Sequence, residues 1–334
     1  MPFGTTFDIP SEIWSSTDMV QSETKRARSR RIVRQTAKEQ WRALKRAGAA
    51  HRCERFVAAI GVAYPRMSDV TPSYAAETVK PIIDAGTDVR LWPDDDATHR
   101  CCTIYYQLPE PAPRGHYLLN VMILPVPAKR PAYQPTTAIA RGVLKAWGDV
   151  PEGERPEGYR GYRSVNASVP NRLWITSNFT DSDLLARQHG AHKSRKWGDP
   201  KALGVRGRVG GRLETLMEDA WTRTPHWPLE RYTVLAGVAY PHGVGNDDAD
   251  PDNAAETVNI MLEAGMSPKV AAWPGIDGRR CKAVGFYRWP FDCPGGTHEI
   301  HLAVLPVPEA GFHILTALKS SWADAWDDHA RMRG

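Results

Sequence analysis

Apolar residues along the chain gather in short dense runs separated by polar turns. Phe7–Ile9 and Leu173–Thr176 each predict a short opening strand, and Phe56–Tyr64 and Tyr232–Tyr240 predict longer β-type runs. Cys102–Gln107 with Tyr117–Leu124, and Ala283–Arg288 with Glu299–Leu305, predict two further strands each. Between them, mixed polar and apolar stretches predict helices: a basic one over about 22–48, and a looser one between about 182 and 222. Shorter helices are expected over 75–85 and 254–264, with Gly86 and Gly265 as C-caps, and near 136–147 and 315–326. Strands interleaved with helices in this way predict an α+β architecture with a small mixed sheet.

The same order is met twice, because the chain repeats. Gly61-Val62-Ala63-Tyr64-Pro65 returns as Gly237-Val238-Ala239-Tyr240-Pro241, and Ala75-Ala76-Glu77-Thr78-Val79 as Ala254-Ala255-Glu256-Thr257-Val258. Trp92-Pro93 returns as Trp273-Pro274, and Leu124-Pro125-Val126-Pro127 as Leu305-Pro306-Val307-Pro308. The offsets are 176, 179, 181 and 181 residues, far too long for a solenoid repeat. Two tandem copies are therefore expected, at 1–147 and 170–334. The Gly-, Pro-, Arg- and Glu-rich segment 148–169 is the expected linker.

With 334 residues and 42% apolar content, the chain can build more than one core. No run of some 18 residues lacks charge, so no membrane partner is expected. No secretory leader is apparent, and five cysteines without CxxC spacing fit neither a disulfide framework nor a zinc site. A reducing, cytoplasmic setting is the expectation. There is no H-E-x-x-H, no G-x-S-x-G elbow and no P-loop. Trp147, Trp322 and Trp326 on the terminal helices are expected as packing anchors at a seam.

Charge is distributed unevenly. Between Lys25 and Arg46 lie ten basic residues and one acid, and between Arg187 and Arg212 eight basic residues and one acid. The rest of the chain is net acidic. Such clusters are the footprint of a polyanion, here duplex or branched DNA, held by Lys25, Arg26, Arg28, Arg30, Arg31 and Arg34 in one copy and Lys193, Arg195 and Lys196 in the other. A solvated helix face is the plainer alternative, disfavoured because intrahelical i,i+4 pairing would mix the signs.

Carboxylates cluster too. Asp250 and Asp252 alternate just before the helix at 254–264, so in an extended segment they face one side, and Asp277 follows Trp273-Pro274. The first copy has Asp94-Asp95-Asp96 after Trp92-Pro93, with Asp96 at the position of Asp277, and carries Lys80 and Asp84 one helical turn apart. Converging carboxylates can hold Mg²⁺, which activates water for phosphodiester hydrolysis, and a nearby Lys can neutralise developing charge. An ordinary acidic turn remains open as the alternative.

Asp250-Pro251-Asp252-Asn253 as a D-x-D-N motif, Glu77 to Asp84 as a helix with Lys and Asp four apart, and Leu91-Trp92-Pro93-Asp94-Asp95-Asp96 as an Asp-Asp turn together resemble the RusA-like Holliday junction resolvases. The resemblance covers roughly 5–147 and 172–330. It implies a fold that acts as a dimer on four-way junctions, with a Mg²⁺-dependent acidic site per subunit and Mn²⁺ as a substitute. A tandem fusion would supply both subunits as an intramolecular pseudo-dimer, with further self-association left open. Carried onto this chain, the resemblance implies Asp250, Asp252, Asp277 and Lys80 as catalytic residues. Asp250, Asp252 and Asp277 would be the better metal set, and Asp95 and Asp96 a weaker one. Neither copy is complete: Thr71-Pro72-Ser73-Tyr74 stands where the first copy would have D-x-D-N, and Asn259 and Glu263 stand where the second would have Lys and Asp. The readings are a Mg²⁺-dependent structure-specific endonuclease or nickase, a catalytically degenerate branched-DNA-binding protein, or a phage or bacterial protein-interaction scaffold.

Overall fold

The computed structural model describes residues 1–17, 22–65, 70–126, 135–155, 163–176, 179–189, 205–224, 229–243, 250–309 and 313–331. Its strands are β1 (Phe3–Pro10), β2 (Arg55–Ala63), β3 (Arg100–Gln107), β4 (His116–Val126), β5 (Arg163–Pro170), β6 (Tyr232–Ala239), β7 (Cys281–Arg288) and β8 (Thr297–Pro306). Its helices are α1 (Glu23–Arg46), α2 (Ala76–Asp88), α3 (Pro135–Gly148), α4 (Asp181–His189), α5 (Val205–Thr222), α6 (Ala255–Ala264) and α7 (Ile314–Arg331). The fold is mixed α+β around one sheet of eight strands, ordered β1-β4-β2-β3-β7-β6-β8-β5. From either edge the same sequence is met: the first, fourth, second and third strand of a copy.

The copies join where β3 pairs antiparallel with β7, Thr103 opposite Phe286 and Tyr106 opposite Ala283. Within each copy the second and third strands run parallel, and both outer pairings are antiparallel. Successive residues of a strand face opposite sides. Phe56, Ala58 and Ile60 therefore enter one core with Trp41 of α1, Ile82 of α2, Trp221 of α5 and Met261 of α6. Val57 and Ala59 enter a second core under α3 and α7. The terminal helices cross over: Trp147 Nε1 of α3 donates to Pro306 O of β8 at 2.9 Å, and Trp322 Nε1 of α7 donates to Pro125 O of β4 at 2.6 Å. These two tryptophans anchor each copy's last helix to the other copy's fourth strand. The side chain of Trp326 lies outside the described residues.

Three expectations are corrected. The opening strand of the second copy is β5, which begins inside the segment expected as linker, and Leu173–Thr176 comes after it as a buried stretch outside the sheet. Arg163, Val165, Ala167 and Val169 point inward between exposed Ser164, Asn166 and Ser168. That is a period-two pattern disguised by small residues. Helix α2 runs through Gly86 to Asp88 and is capped by Val89. A Cβ on Gly86 would fall 1.9 Å from the Trp92 ring, and one on Gly265 2.3 Å from the Trp273 ring. Both glycines admit a tryptophan against the helix, and Gly265, the C-cap of α6, keeps right-handed φ. Finally, the Asp250–Asn253 segment is a tight turn, with Asn253 N donating to Asp250 O at 3.1 Å, rather than an extended stretch.

Candidate functional site: a composite acidic centre

Parallel β2 and β3 bring the Asp turn of the first copy to the start of β3, and α2 lies beside it. The β3–β7 join brings this corner against the other copy's turn before α6. The motif parts that the sequence divides between the copies thus meet in one place. Lys80 Nζ of α2 donates to Asp250 Oδ2 and to Asn253 Oδ1, both at 2.8 Å. Arg100, the first residue of β3, is fully buried between the copies. Its guanidinium lies 2.9 Å from Asp252 Oδ1, 3.6 Å from Asp250 Oδ2 and 3.4 Å from Asp95 Oδ2. Nε also donates to Asp95 O at 3.0 Å and Nη1 to Thr103 Oγ1 at 3.3 Å, which fixes the plane of the group. Tyr105 OH of β3 donates to Asp252 Oδ2 at 2.6 Å. Tyr240 OH, just past the end of β6, holds the turn itself by donating to Asp250 O at 3.0 Å.

Electrostatics are set by this packing. Burial opposes the Arg100 charge, but Asp252, Asp250 and Asp95 outweigh it and hold the guanidinium above its ordinary pKa. Burial pushes Asp250 up to about 6 against the pull of Arg100 and Lys80, with Asp95 adding repulsion. Burial and then Asp252 drive the Tyr105 phenol far above its usual value, so it remains a donor. Asp252 Oδ1 is a special case: the guanidinium touches it at 2.9 Å, yet no N–H is aimed along the contact and the oxygen has no hydrogen-bond donor.

The equivalent corner of the other copy has the same frame and different chemistry. Tyr64 OH donates to Thr71 O at 3.0 Å, as Tyr240 does to Asp250. Ser73 Oγ donates to Asn259 Oδ1 at 2.6 Å, and Tyr74 OH bonds Glu263. At the position of Arg100 stands Cys281, fully buried beside Thr71, its thiol pKa pushed up to about 12 chiefly by burial. Phe286 replaces Tyr105 and meets it edge-on at 5.9 Å.

Asp277 is therefore not brought to Asp250 and Asp252. It accepts from Arg279 N at 2.9 Å and pairs with Arg279 and Arg280 at 3.3 and 3.4 Å in its own turn. Asp96 does the same in the first copy, accepting from Thr98 N at 2.9 Å and His99 N at 3.1 Å. Both are turn caps of the Asx type. The alignment grouped residues of one copy, whereas the strand join assembles each corner from both. Asp95 is the turn carboxylate that reaches the composite centre. Arg100 and Tyr105 were missed from sequence. Their signal was there: at an offset of 181 they align with Cys281 and Phe286, so position 100 is charged where its mate is neutral.

The basic helix also reads differently in three dimensions. Arg26 and Arg30 pair with Glu77, Arg34 with Asp84 and Asp88, and Lys38 with Asp88, at 2.7 to 3.7 Å. The missing acids of α1 are supplied by α2, a possibility that intrahelical counting overlooks. Lys25, Arg28, Arg31, Arg42 and Arg46 stay exposed on the outer side. A cleft of about 460 Å³ is lined by Arg31, Arg34 and Lys38 with Ile32, Gln35 and Thr36. Lys193, Arg195 and Lys196 lie outside the described residues.

A Mg²⁺ ion does not fit the composite centre as it stands. Three carboxylates already face two fixed cations, and a divalent ion on Asp252 Oδ1 would sit against the guanidinium. Among the described residues no group of three or more His, Cys, Asp or Glu side chains is placed to hold a metal ion. No described helix is long and apolar enough to cross a membrane. Compared with family models, curated proteins and solved structures, the chain gives no match.

Proposed function

We propose that the chain is a tandem RusA-like pseudo-dimer that binds branched or duplex DNA without cutting it. The observation that carries this is the composite centre. D-x-D-N of one copy and the Lys and Asp turn of the other lie together in this centre, and Arg100 and Lys80 pair with its acids. The reciprocal Trp147 and Trp322 contacts support the pseudo-dimer. The outer stripe of α1 supports the partner: Lys25, Arg28 and Arg31 are exposed and unclaimed by α2 acids, and phosphate contacts need such cations.

The test is labelled four-way junction and duplex DNA incubated with and without Mg²⁺ or Mn²⁺. The expected result is a retarded complex with no nick, with log K falling by about 0.9 per phosphate contact against log salt on duplex DNA. Arg28→Glu with Arg31→Glu should weaken binding to all sequences. Salt-independent binding, or binding unmoved by this pair, counts against it. A second reading, a slow nickase at this one centre, draws on Asp252 Oδ1, which still lacks a hydrogen-bond donor. A metal-dependent nick lost in Asp252→Asn would favour that reading.

A further inference from the structure

We infer that Arg100 is the resident counter-ion of the composite centre, its guanidinium supplying the positive charge that Asp95, Asp250 and Asp252 would otherwise draw from a bound cation, so that the wild-type chain is closed to metal and removal of this one side chain lets the carboxylates close on one. The inference rests on the reading of this centre as silent given above, and not on DNA binding.

Three observations carry it. First, the guanidinium is fully buried and touches all three carboxylates, Asp252 at 2.9 Å, Asp95 at 3.4 Å and Asp250 at 3.6 Å. A group that never deprotonates in proteins and presents a planar fork is a permanent charge on a fixed mount. Second, the mount is made by groups that are not acid side chains: Asp95 O takes Nε at 3.0 Å and Thr103 Oγ1 takes Nη1 at 3.3 Å. Third, the two corners of the molecule vary as sets. Where Asp250 and Asp252 stand, Arg100 faces them; where Thr71 and Ser73 stand, Cys281 occupies the same position. An internal cation is present only where there are acids to answer. A centre balanced by a free ion would not need one.

Removing Arg100 leaves the carboxylates short of a counter-charge. Buried acids in that state are costly and take up a cation or protons. Asp252 Oδ1, already without a hydrogen-bond donor, becomes an open hard-oxygen ligand, with Asp250 and Asp95 beside it.

The test uses the full chain and Mn²⁺ as probe, read by electron paramagnetic resonance of bound ion and by thermal unfolding. Wild type should bind no Mn²⁺ at the centre and melt at the same temperature with or without it. Arg100→Ala should melt lower in chelator, bind one Mn²⁺, and regain melting temperature in proportion to the logarithm of Mn²⁺ concentration. Arg100→Lys should resemble wild type, and Arg100→Ala with Asp252→Asn should lose the ion. If Arg100→Ala folds only in Mn²⁺, that too supports the inference. If it fails to fold in either condition, Arg100→Gln carries the same comparison. Mn²⁺ bound by wild type and lost in Asp252→Asn would overturn the inference. So would Arg100→Ala and Arg100→Gln both failing to respond to Mn²⁺. A chain that fails to bind DNA leaves these outcomes untouched.

Discussion

The two corners of the sheet are built on one frame and have gone opposite ways. In each, a tyrosine just past the copy's second strand donates to the first carbonyl of the turn: Tyr64 to Thr71 and Tyr240 to Asp250, both at 3.0 Å. In each, a buried threonine on the next helix ties down the chain after the opening strand, Thr78 at Ser15 and Thr257 at Ile175. The frame therefore does not need the charges. At the Asp250 corner the cross-copy contacts are ionic, Lys80 and Arg100 against Asp250 and Asp252. At the Thr71 corner they are hydrogen bonds from uncharged donors, Ser73 to Asn259 at 2.6 Å and Tyr74 to Glu263. The difference teaches that a buried acid cluster and its cations are kept or lost together, as expected when half of such a set is worse than none.

The widest gap between the corners should appear on deleting position 100 or its mate. Arg100→Ala strands three carboxylates and should lose about 3–5 kcal/mol in urea unfolding. Cys281→Ala should lose about 1 kcal/mol. Equal losses would break the comparison. A sharper version transplants the charge. Ser73→Asp puts a buried carboxylate where Cys281 stands in place of an arginine and should lose at least ~2 kcal/mol, and adding Cys281→Arg should restore part of it. Full additivity of the two changes would show that the sets are independent.

Smaller effects belong to the α1–α2 clasp. Arg34→Gln should lose about 0.5–1 kcal/mol, since the pair with Asp84 and Asp88 is partly exposed, and Arg31→Glu should stay within about 0.5 kcal/mol while weakening DNA binding. The same clasp carries a pH signature with opposite signs on neighbouring turns of α2. Burial and then Asp95 raise Asp84 to about 6, against Lys80, Arg34 and Arg100. Its contribution is therefore present below pH ~4 and is lost as pH rises through about 6. The hydrogen bond from Arg34 lowers Asp88 to about 2. That contribution is present above pH ~4 and is lost as pH falls through about 2. Relative to wild type, Asp84→Asn should gain stability as pH rises from about 4 to 6, and the deficit of Asp88→Asn should open as pH rises from about 2 to 4. Melting curves across this range decide.

Much of the fold was legible because the repeat carries its own check. The runs at Phe56–Tyr64 and Tyr232–Tyr240 became β2 and β6, and the later strands and both terminal helices fell within a few residues of expectation. β5 was not, because Val165, Ala167 and Val169 between serines and an asparagine give period two without bulk. The site was half legible. Asp250, Asp252 and Lys80 were found, but a one-dimensional alignment assigns partners within a copy, and pairing of β3 with β7 assigns them between copies. Arg100 was not legible, since nothing local marks a cation for burial. Its meaning lies in three carboxylates, of which Asp250 and Asp252 are some 150 residues away.

One measurement bears most directly on the account: the anomalous difference map of wild-type crystals soaked in Mn²⁺. The account predicts Arg100 in place between Asp95, Asp250 and Asp252, with no manganese peak at the centre. A peak bridging Asp250 and Asp252, with the guanidinium displaced, would contradict it.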